Sequence, residues 1–364
     1  MKILIVGAGP IGCYLAQLLK INSNLNIKII EEHHALGKPV HCAGLVSKEV
    51  FGHSRINLNH KSILNTIDGA QIFFGKDSFY IKRKSVAFVI DREKFDQHLG
   101  EKLSIDFNTR FIGLEKRKKG FLVETDKGGF YTDILIGADG ANSTVRKSAE
   151  FRENIEYLKG VQFRLRYKMK NNFVQVYLKK PFFAWIIPES TQIVRAGIIS
   201  YNPYQDLLDF LRENNVKGEI LEKFAGTVPL GTCQTQKENI FLIGDAACQV
   251  KPLTQGGIYY GMRCAEILAD CILKKRLYEY EKRWRERFGE EINVGLKIRK
   301  LYLTLNDRDI AKIFRILKKN KIILERFADF ENHSRMFSFL AKTLHIKDFL
   351  GGIFISIIKS IDRA

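Results

Sequence analysis

Lys2-Ile3-Leu4-Ile5-Val6-Gly7-Ala8-Gly9-Pro10-Ile11-Gly12 opens the chain, and its reading decides the fold. Ile3 to Val6 is wholly apolar, as a short parallel strand covered on both faces needs to be. Gly7, Gly9 and Gly12 stand at Gly-x-Gly-x-x-Gly spacing, and Tyr14, Leu15, Leu18 and Leu19 then recur at helical period. A second strand from Leu25 to Ile30 ends at Glu31 and Glu32. Gly7 permits the tight bend, Gly9 lets a pyrophosphate approach the backbone, and Gly12 lets helix pack on strand, while the helix N-terminus offers free N–H groups to the anion. Glu31 lies 19 positions beyond Gly12 and directly follows the strand, which suits a carboxylate accepting hydrogen bonds from ribose hydroxyls. Glu32 is the off-by-one rival for that role. A plain glycine-bearing turn is the bland alternative, and the acid at this distance favours dinucleotide binding.

The chain of 364 residues is long enough for two domains, or for one large domain with an insertion. Its 59 Lys and Arg against 40 Asp and Glu give a formal charge of +19, which favours anionic partners: phosphates, acidic protein donors or anionic lipid surfaces. Nucleic acid is not expected, because the basic residues are spread along the chain without a compact block of interleaved aromatics. The six cysteines form neither a Cys-x-x-Cys pair nor a zinc-finger spacing, so neither a disulfide framework nor a metal site is expected. The first strand begins at once, leaving no room for a secretion signal, and no apolar run approaches the length of a spanning helix. The expectation is a cytoplasmic protein, with contact at the membrane surface kept open.

Behind the ribose acid comes Gly37-Lys38-Pro39-Val40-His41-Cys42-Ala43-Gly44-Leu45. Loops leaving the carboxyl ends of parallel strands line the ligand crevice, so Cys42 is placed to face a cofactor. A buried small hydrophobe is the equal alternative. Short strands are expected at Gln71–Phe74, Ser78–Ile81 and Val86–Ile90, and a helix capped at or beside Asp91, burying Phe95 and Leu99. Arg92 is either free for an anion or a solvated first-turn residue. Further strands are expected from Phe107 to Leu114 and from Phe121 to Thr125.

The chain then returns to the nucleotide twice. The first return is Asp133-Ile134-Leu135-Ile136-Gly137-Ala138-Asp139-Gly140, an apolar strand breaking at Asp139, with a plain Asp-Gly turn as the alternative. Between the returns, Val161 to Ser200 alternates as an antiparallel sheet with one wet face would. There Phe182-Phe183-Ala184-Trp185-Ile186-Ile187-Pro188 suits either core or the wall of an apolar cavity. The second return is Asn239 to Ala247, ending in Gly244-Asp245, where Asp245 suits a sugar hydroxyl. Gly256, Gly257 and Ile258 then open a helix whose backbone N–H groups face a ligand. Cys264 and Cys271 share a helical face and read as core, and Tyr280, Trp284, Phe288 and Ile292 form a packing stripe in a charged helical tail. At the far end, Phe349, Leu350, Ile353, Phe354, Ile357, Ile358 and Ile361 share a face, with Lys347, Lys359 and Arg363 available to anionic head groups. Docking of that helix on the protein's own core is the alternative.

Three cofactor stations in this order resemble the flavoproteins of the aromatic-hydroxylase superfamily, and finer motifs resemble one branch, the geranylgeranyl reductases. Pro39-Val40-His41-Cys42-Ala43-Gly44 is similar to that branch's Pro-x-x-Cys-x-Gly, and Phe183-Ala184-Trp185-Ile186-Ile187-Pro188 is similar to its Tyr-x-Trp-x-Phe-Pro, with Phe183 and Ile187 as departures. Val250-Lys251-Pro252 followed by Gly256-Gly257-Ile258-Tyr259-Tyr260-Gly261 completes the match, which spans about Met1 to Ile292. The resemblance implies FAD, held at Gly12, Glu31, Cys42, Ala43, Leu45, Arg92, Asp245, Gly257 and Ile258, beside Gly7, Gly9 and Asp139 of the two loops. It further implies Cys42 as a catalytic residue, and a substrate cavity at Phe183, Trp185, Pro188 and Tyr259. The substrate would be the polyprenyl chain of an archaeal-type lipid, and the electron donor a ferredoxin-like protein or reduced nicotinamide. The fold expected is α/β: a Rossmann-type FAD-binding domain (1–60, 86–155 and 226–275), an inserted antiparallel-sheet substrate domain (61–85 and 156–225), and a helical C-terminal region (276–364). The rivals are a flavin monooxygenase or halogenase on the same fold, and a flavin- or lipid-binding protein without turnover.

Overall fold

In the computed structural model, which describes residues 1–334, β1 (Lys2–Val6) leads through the glycine turn into α1 (Pro10–Asn22) and back into β2 (Asn26–Ile30). The two strands run parallel, from Lys2↔Asn26 to Val6↔Ile30, as a right-handed crossover requires. Tyr14, Leu15, Leu18 and Leu19 are all buried on α1. The amphipathic stretch from Phe349 to Ile361 lies outside the described residues.

Next come β3 (Leu45–Ser47), α2 (Glu49–Gly52), β4 (Ile63–Phe74) and β5 (Asp77–Ile90). Here the structure corrects the expectation of three short strands. Ser78–Ile81 and Val86–Ile90 belong to one strand of 14 residues, running through the exposed Lys82, Arg83 and Lys84. The ladder with β4 carries the backbone across that polar stretch, with a register shift between Ile67 and Gly69 absorbing the irregularity. Asp91 caps α3 (Arg92–Gly100), its carboxylate accepting the Lys94 N–H at 3.1 Å, and Phe95 and Leu99 are buried.

A meander of β6 (Phe111–Lys116), β7 (Phe121–Thr125) and β8 (Gly128–Thr132) follows. The strand expected from Phe107 starts at Phe111 because the preceding backbone is used elsewhere. Asp106 O accepts the Glu31 N–H at 3.0 Å, and the Thr109 N–H donates to Glu31 O at 2.8 Å. The first return gives β9 (Ile134–Gly137), parallel to β1, and the short α4 (Thr144–Ser148).

The remaining strands are β10 (Glu153–Arg166), β11 (Val174–Lys179), β12 (Phe182–Pro188), β13 (Ile193–Ser200) and, after α5 (Pro203–Glu213), β14 (Glu219–Cys233). With β3, β4 and β5 they form an eight-stranded sheet in the order β14-β10-β13-β12-β11-β4-β5-β3. Its pairings are antiparallel except β11 with β4, which is parallel and qualifies the expected antiparallel sheet. No tight turn joins those two strands, so none fixes their direction. On one face of this sheet Phe163, Leu165, Ala184 and Ile186 pack under α5 against Leu207 and Phe210.

The second return adds β15 (Gln236–Lys237) and β16 (Ile240–Leu242), completing a five-stranded sheet in the order β15-β16-β9-β1-β2. α6 (Ile258–Leu273) packs on α1, where the Tyr14 hydroxyl donates to the buried Glu266 at 2.6 Å. The tail runs through α7 (Tyr280–Trp284), a π turn over Arg285–Gly289, α8 (Glu290–Thr304), α9 (Asp307–Lys319) and α10 (Lys321–Phe327). Tyr280, Trp284, Phe288 and Ile292 are buried as one stripe, and Cys264 and Cys271 lie in the same core. Four-residue steps drift forward around an ideal helix, and the wider π turn takes up that drift. Among the described residues no helix is long and apolar enough to cross a membrane.

Candidate active site

The crevice opens at the carboxyl ends of β1, β2, β9 and β16, where a doubly wound sheet offers its ligand site. Gly7 has φ +99°, and a Cβ there would stand 2.5 Å from Ala138 O. A Cβ on Gly12 would stand 2.1 Å from Gly7 O, so this glycine sits behind the turn and sets how closely α1 approaches it. Gly9 is different: it caps α1, lines the crevice, and a Cβ there would meet no atom within 4 Å. Gly140, at φ +73°, faces the same open space from the second loop. Two bare backbone turns with free N–H groups and an open concavity between them fit a diphosphate.

Glu31 is tied to the first turn. Its Oε2 accepts the Ala8 N–H at 2.7 Å, and its Oε1 accepts the His33 N–H at 3.0 Å and lies 2.6 Å from His33 Nδ1. A carboxylate has about four lone-pair sites, so acceptor capacity remains for ribose hydroxyls. Glu32 lines the same crevice but makes no hydrogen bond to the turn among the described residues.

The two later acids divide in role. Asp139 spends its carboxylate on α4, accepting from Ser143 Oγ at 2.6 Å and the Val145 N–H at 3.0 Å, so the Asp139–Gly140 backbone is what faces the crevice. Asp245 lines the crevice with a carboxylate that takes no hydrogen bond from the described residues. Burial pushes its pKa up, with Arg92 pulling the other way. A half-buried carboxylate that faces the crevice with open lone pairs is a natural acceptor for a ligand hydroxyl. The fully buried Arg146 locks the two loops together, donating to Ala141 O at 2.8 Å and to Ala246 O at 2.7 Å.

Cys42 alone of the six cysteines lines the cavity. The Gly44 N–H reaches its Sγ at 3.3 Å, and the loop is held against β14 by His41 Nδ1, 2.6 Å from Ala225 O. Gly226 admits that loop, since a Cβ there would stand 2.8 Å from His41 O. Arg92 is not a solvated first-turn residue. It is paired twice with Asp96, its Nη2 at 2.9 and 3.1 Å, and it also meets Cys42. Burial works against its charge, but Asp96 and Cys42 beside it outweigh that and raise its pKa. Cys13, Cys248 and Cys264, by contrast, are deep in the core, where burial pushes their thiols up.

From Cys42 one cavity of about 1410 Å³ continues into the eight-stranded sheet, past Val176, Phe183, Trp185 and Ile187, to Leu301 and Phe314 of the helical tail. Ala43, Leu45, Gly257 and Ile258 lie in its wall near the crevice. The indole of Trp185 lies over Gly197, whose Cβ would stand 2.4 Å from the ring, and its Nε1 donates to Gln162 Oε1 at 2.9 Å. Two residues expected in this wall are not in it. Pro188 falls on the opposite face of β12, because strand alternation puts Phe183, Trp185 and Ile187 inward. Tyr259, one helical position past Ile258, turns away to His53 Nδ1 at 3.1 Å and packs on Phe288. Sequence reasoning missed Gln162, Gly197, Leu301 and Phe314. For the last two the only signal was the amphipathic period of the tail.

No family model matches the chain. It is 33% identical to an uncharacterized protein of Methanocaldococcus jannaschii, covering 94% of this chain and 95% of that one. It is 29% identical to the digeranylgeranylglycerophospholipid reductase of Methanococcus vannielii (87% and 90% covered) and 28% identical to digeranylgeranylglycerophospholipid reductase 1 of Methanococcoides burtonii (85% and 86%). Among solved structures, a geranylgeranyl bacteriochlorophyll reductase-like protein of Thermoplasma acidophilum superposes with a TM-score of 0.79 at 21% identity, over 94% of this chain and 98% of its own. A flavoprotein/dehydrogenase of Cytophaga hutchinsonii gives 0.68 at 15%, over 96% and 100%. Sequence likeness along nearly the whole chain, together with the shared fold, leads to one conclusion: the chain is similar throughout to archaeal digeranylgeranylglycerophospholipid reductases and has the fold of the geranylgeranyl bacteriochlorophyll reductase-like protein.

Proposed function

We propose that the chain is an FAD-dependent reductase that saturates C=C bonds in the geranylgeranyl chains of membrane lipids. The observation that carries this reading is the continuity of one cavity, from the dinucleotide crevice past Cys42 into an apolar chamber deep enough to take a hydrocarbon chain. The open turns at Gly9 and Gly140, the oriented Glu31 and the unpartnered Asp245 fit FAD, with the adenosine diphosphate half at the first turn. The relatives named as digeranylgeranylglycerophospholipid reductases support the lipid substrate. The five-stranded sheet would form the discontinuous nucleotide-binding domain, and the eight-stranded sheet most of the substrate domain.

Bound and reduced, FAD supplies the hydride. An isolated trisubstituted alkene offers little for a protein to polarise, so this chain contributes mainly position. Phe183 and Trp185 flank the chain, and the apolar wall keeps water from the reacting carbons. Cys42 Sγ holds the proton that the second alkene carbon needs, and the Arg92 guanidinium beside it stabilises the thiolate left behind. Electrons enter from a ferredoxin-like protein or reduced nicotinamide.

The test is anaerobic incubation of dithionite-reduced holoprotein with a geranylgeranyl glycerophospholipid, read by mass spectrometry. A gain of two hydrogens per bond is the expected result. Substrate-coupled oxygen uptake with no such gain would overturn the reading in favour of a monooxygenase, and flavin reduction without any transfer would favour a binding protein.

A further inference from the structure

We propose that Arg195 is a positioning residue for this site: one buried guanidinium on β13 holds together the two segments that carry Cys42 and Arg92. The inference rests on the role proposed above for Cys42. Arg195 is 7% exposed and lies outside the cavity wall. Its Nη1 donates to Ala43 O at 2.8 Å and to Ile90 O at 3.1 Å. Ala43 follows Cys42 directly, and Ile90 ends β5 two residues before Arg92. The two segments also meet directly, through the antiparallel pairing of β3 with β5 (Leu45↔Val89 to Ser47↔Ala87) and the Ile90 N–H donating to Gly44 O at 2.8 Å, and Arg195 adds a side-chain brace to both at the Cys42 end of that ladder. Gly44, at φ +71°, is shaped around it, since a Cβ there would stand 2.1 Å from Arg195 Nη1.

The reach of this side chain is unusual. β13 and β5 stand four places apart in the sheet order, a separation of roughly 19 Å in a flat sheet and beyond an arginine's length. The sheet therefore curls, and Arg195 spans its concave side under the Cys42 loop. A buried guanidinium is tolerated only when paired, and Glu189, 5% exposed, accepts from Arg195 Nε at 2.8 Å. Glu189 in turn holds Arg164 through Nε at 2.9 Å and Nη2 at 2.7 Å. Burial opposes the charge of Glu189, yet the two arginines outweigh it and lower its pKa. Arg195, paired with Glu189, thus anchors the loop to the sheet and fixes how closely Cys42 and Arg92 approach, while Arg164 pairs with the same carboxylate and has no hydrogen bond to either loop segment among the described residues.

The experiment uses the holoprotein as Arg195→Gln and Arg195→Lys, with Arg164→Gln as control. Alkylation of Cys42 by iodoacetamide is followed against pH by peptide mass spectrometry. The groups facing this thiol are Arg92 with Asp96 behind it, Asp245 near Arg92, and Arg195 with Glu189 beneath the loop. Separation of Cys42 from Arg92 moves the midpoint of the profile to higher pH, whereas a loop that is merely looser changes the plateau rate and leaves the midpoint. The expected result is a midpoint raised in Arg195→Gln, a smaller rise in Arg195→Lys, and the parent midpoint in Arg164→Gln. Single-turnover reduction should fall about tenfold or more in Arg195→Gln, at an unchanged half-saturating lipid concentration. A parent midpoint in Arg195→Gln, or an equal shift in Arg164→Gln, overturns the proposal. Should Arg195→Gln not fold, Arg195→Lys decides, because lysine has one nitrogen where Arg195 uses Nε for Glu189 and Nη1 for the two carbonyls, and an unchanged midpoint there also overturns it. If midpoints move as expected while even the parent protein reduces no prenyl lipid, the substrate reading fails and the positioning role stands.

Discussion

Replacing Glu31 with Ala removes a carboxylate that does two things at once: it orients the glycine turn through the Ala8 N–H and offers its remaining lone pairs to the crevice. Hydrogen bonds to a charged group contribute about 1.5–3 kcal/mol each. Loss of one such bond to a ribose hydroxyl should weaken FAD binding by roughly 10- to 150-fold, at 1.4 kcal/mol per decade. Leaving the Ala8 N–H without its partner adds to that cost. Glu31→Gln keeps a carbonyl acceptor for Ala8 and should lose less, on the order of tenfold. The assay is titration of deflavinated protein with FAD, followed by quenching of flavin fluorescence. ADP, which carries only the adenosine half, should lose affinity in parallel with FAD, and FMN should show no dependence on this residue. Glu32→Ala is the control, since Glu32 lines the crevice without bonding to the turn. Parent FAD affinity in Glu31→Ala would refute the reasoning, and loss in Glu32→Ala alone would move the ribose contact by one residue.

Cys42→Ser should keep FAD and fold but lose about 10²-fold or more in single-turnover hydride transfer, the scale of a positioned general acid; the parent rate in both Cys42→Ser and Cys42→Ala would reduce the thiol to packing. Gly197→Ala places a Cβ 2.4 Å from the Trp185 ring, so it should destabilise the protein by about 1–3 kcal/mol and shift Trp185 fluorescence in a Trp284→Phe background; an unshifted spectrum would show that the indole is not seated on the sheet by this contact. His333 faces the cavity, where burial first and then the Lys251 ammonium lower its pKa to about 3. Because the unfolded imidazole binds its proton near pH 6.5, this stability is complete above that value and is lost as pH falls toward 3, at up to about 1.4 kcal/mol per pH unit. His333→Gln should flatten the acid limb of a denaturation series, and an identical limb would assign the acid sensitivity to other groups.

The parts of this molecule legible in the sequence are those governed by neighbours along the chain. The strand, glycine turn and helix from Lys2 to Asn22, the acid at Glu31 and the cap at Asp91 each depend on residues a few positions away. A turn that needs a positive φ, or an N–H that needs a cap, writes its demand locally. The position of Cys42 on the crevice side followed from strand order, a rule of topology that the sequence already carried. Tertiary structure alone decided which faces turn inward and which distant groups meet. The pattern of Phe183 to Pro188 could not say that Pro188 faces away, because alternation fixes two faces and only the neighbouring strands and α5 choose between them. Phe314 joined the cavity because the tail crosses back over β4 and β5, and Arg195 reached the Cys42 loop because the sheet curls. Such contacts join residues far apart in the chain through packing and long-range pairing, and no local period or spacing encodes them.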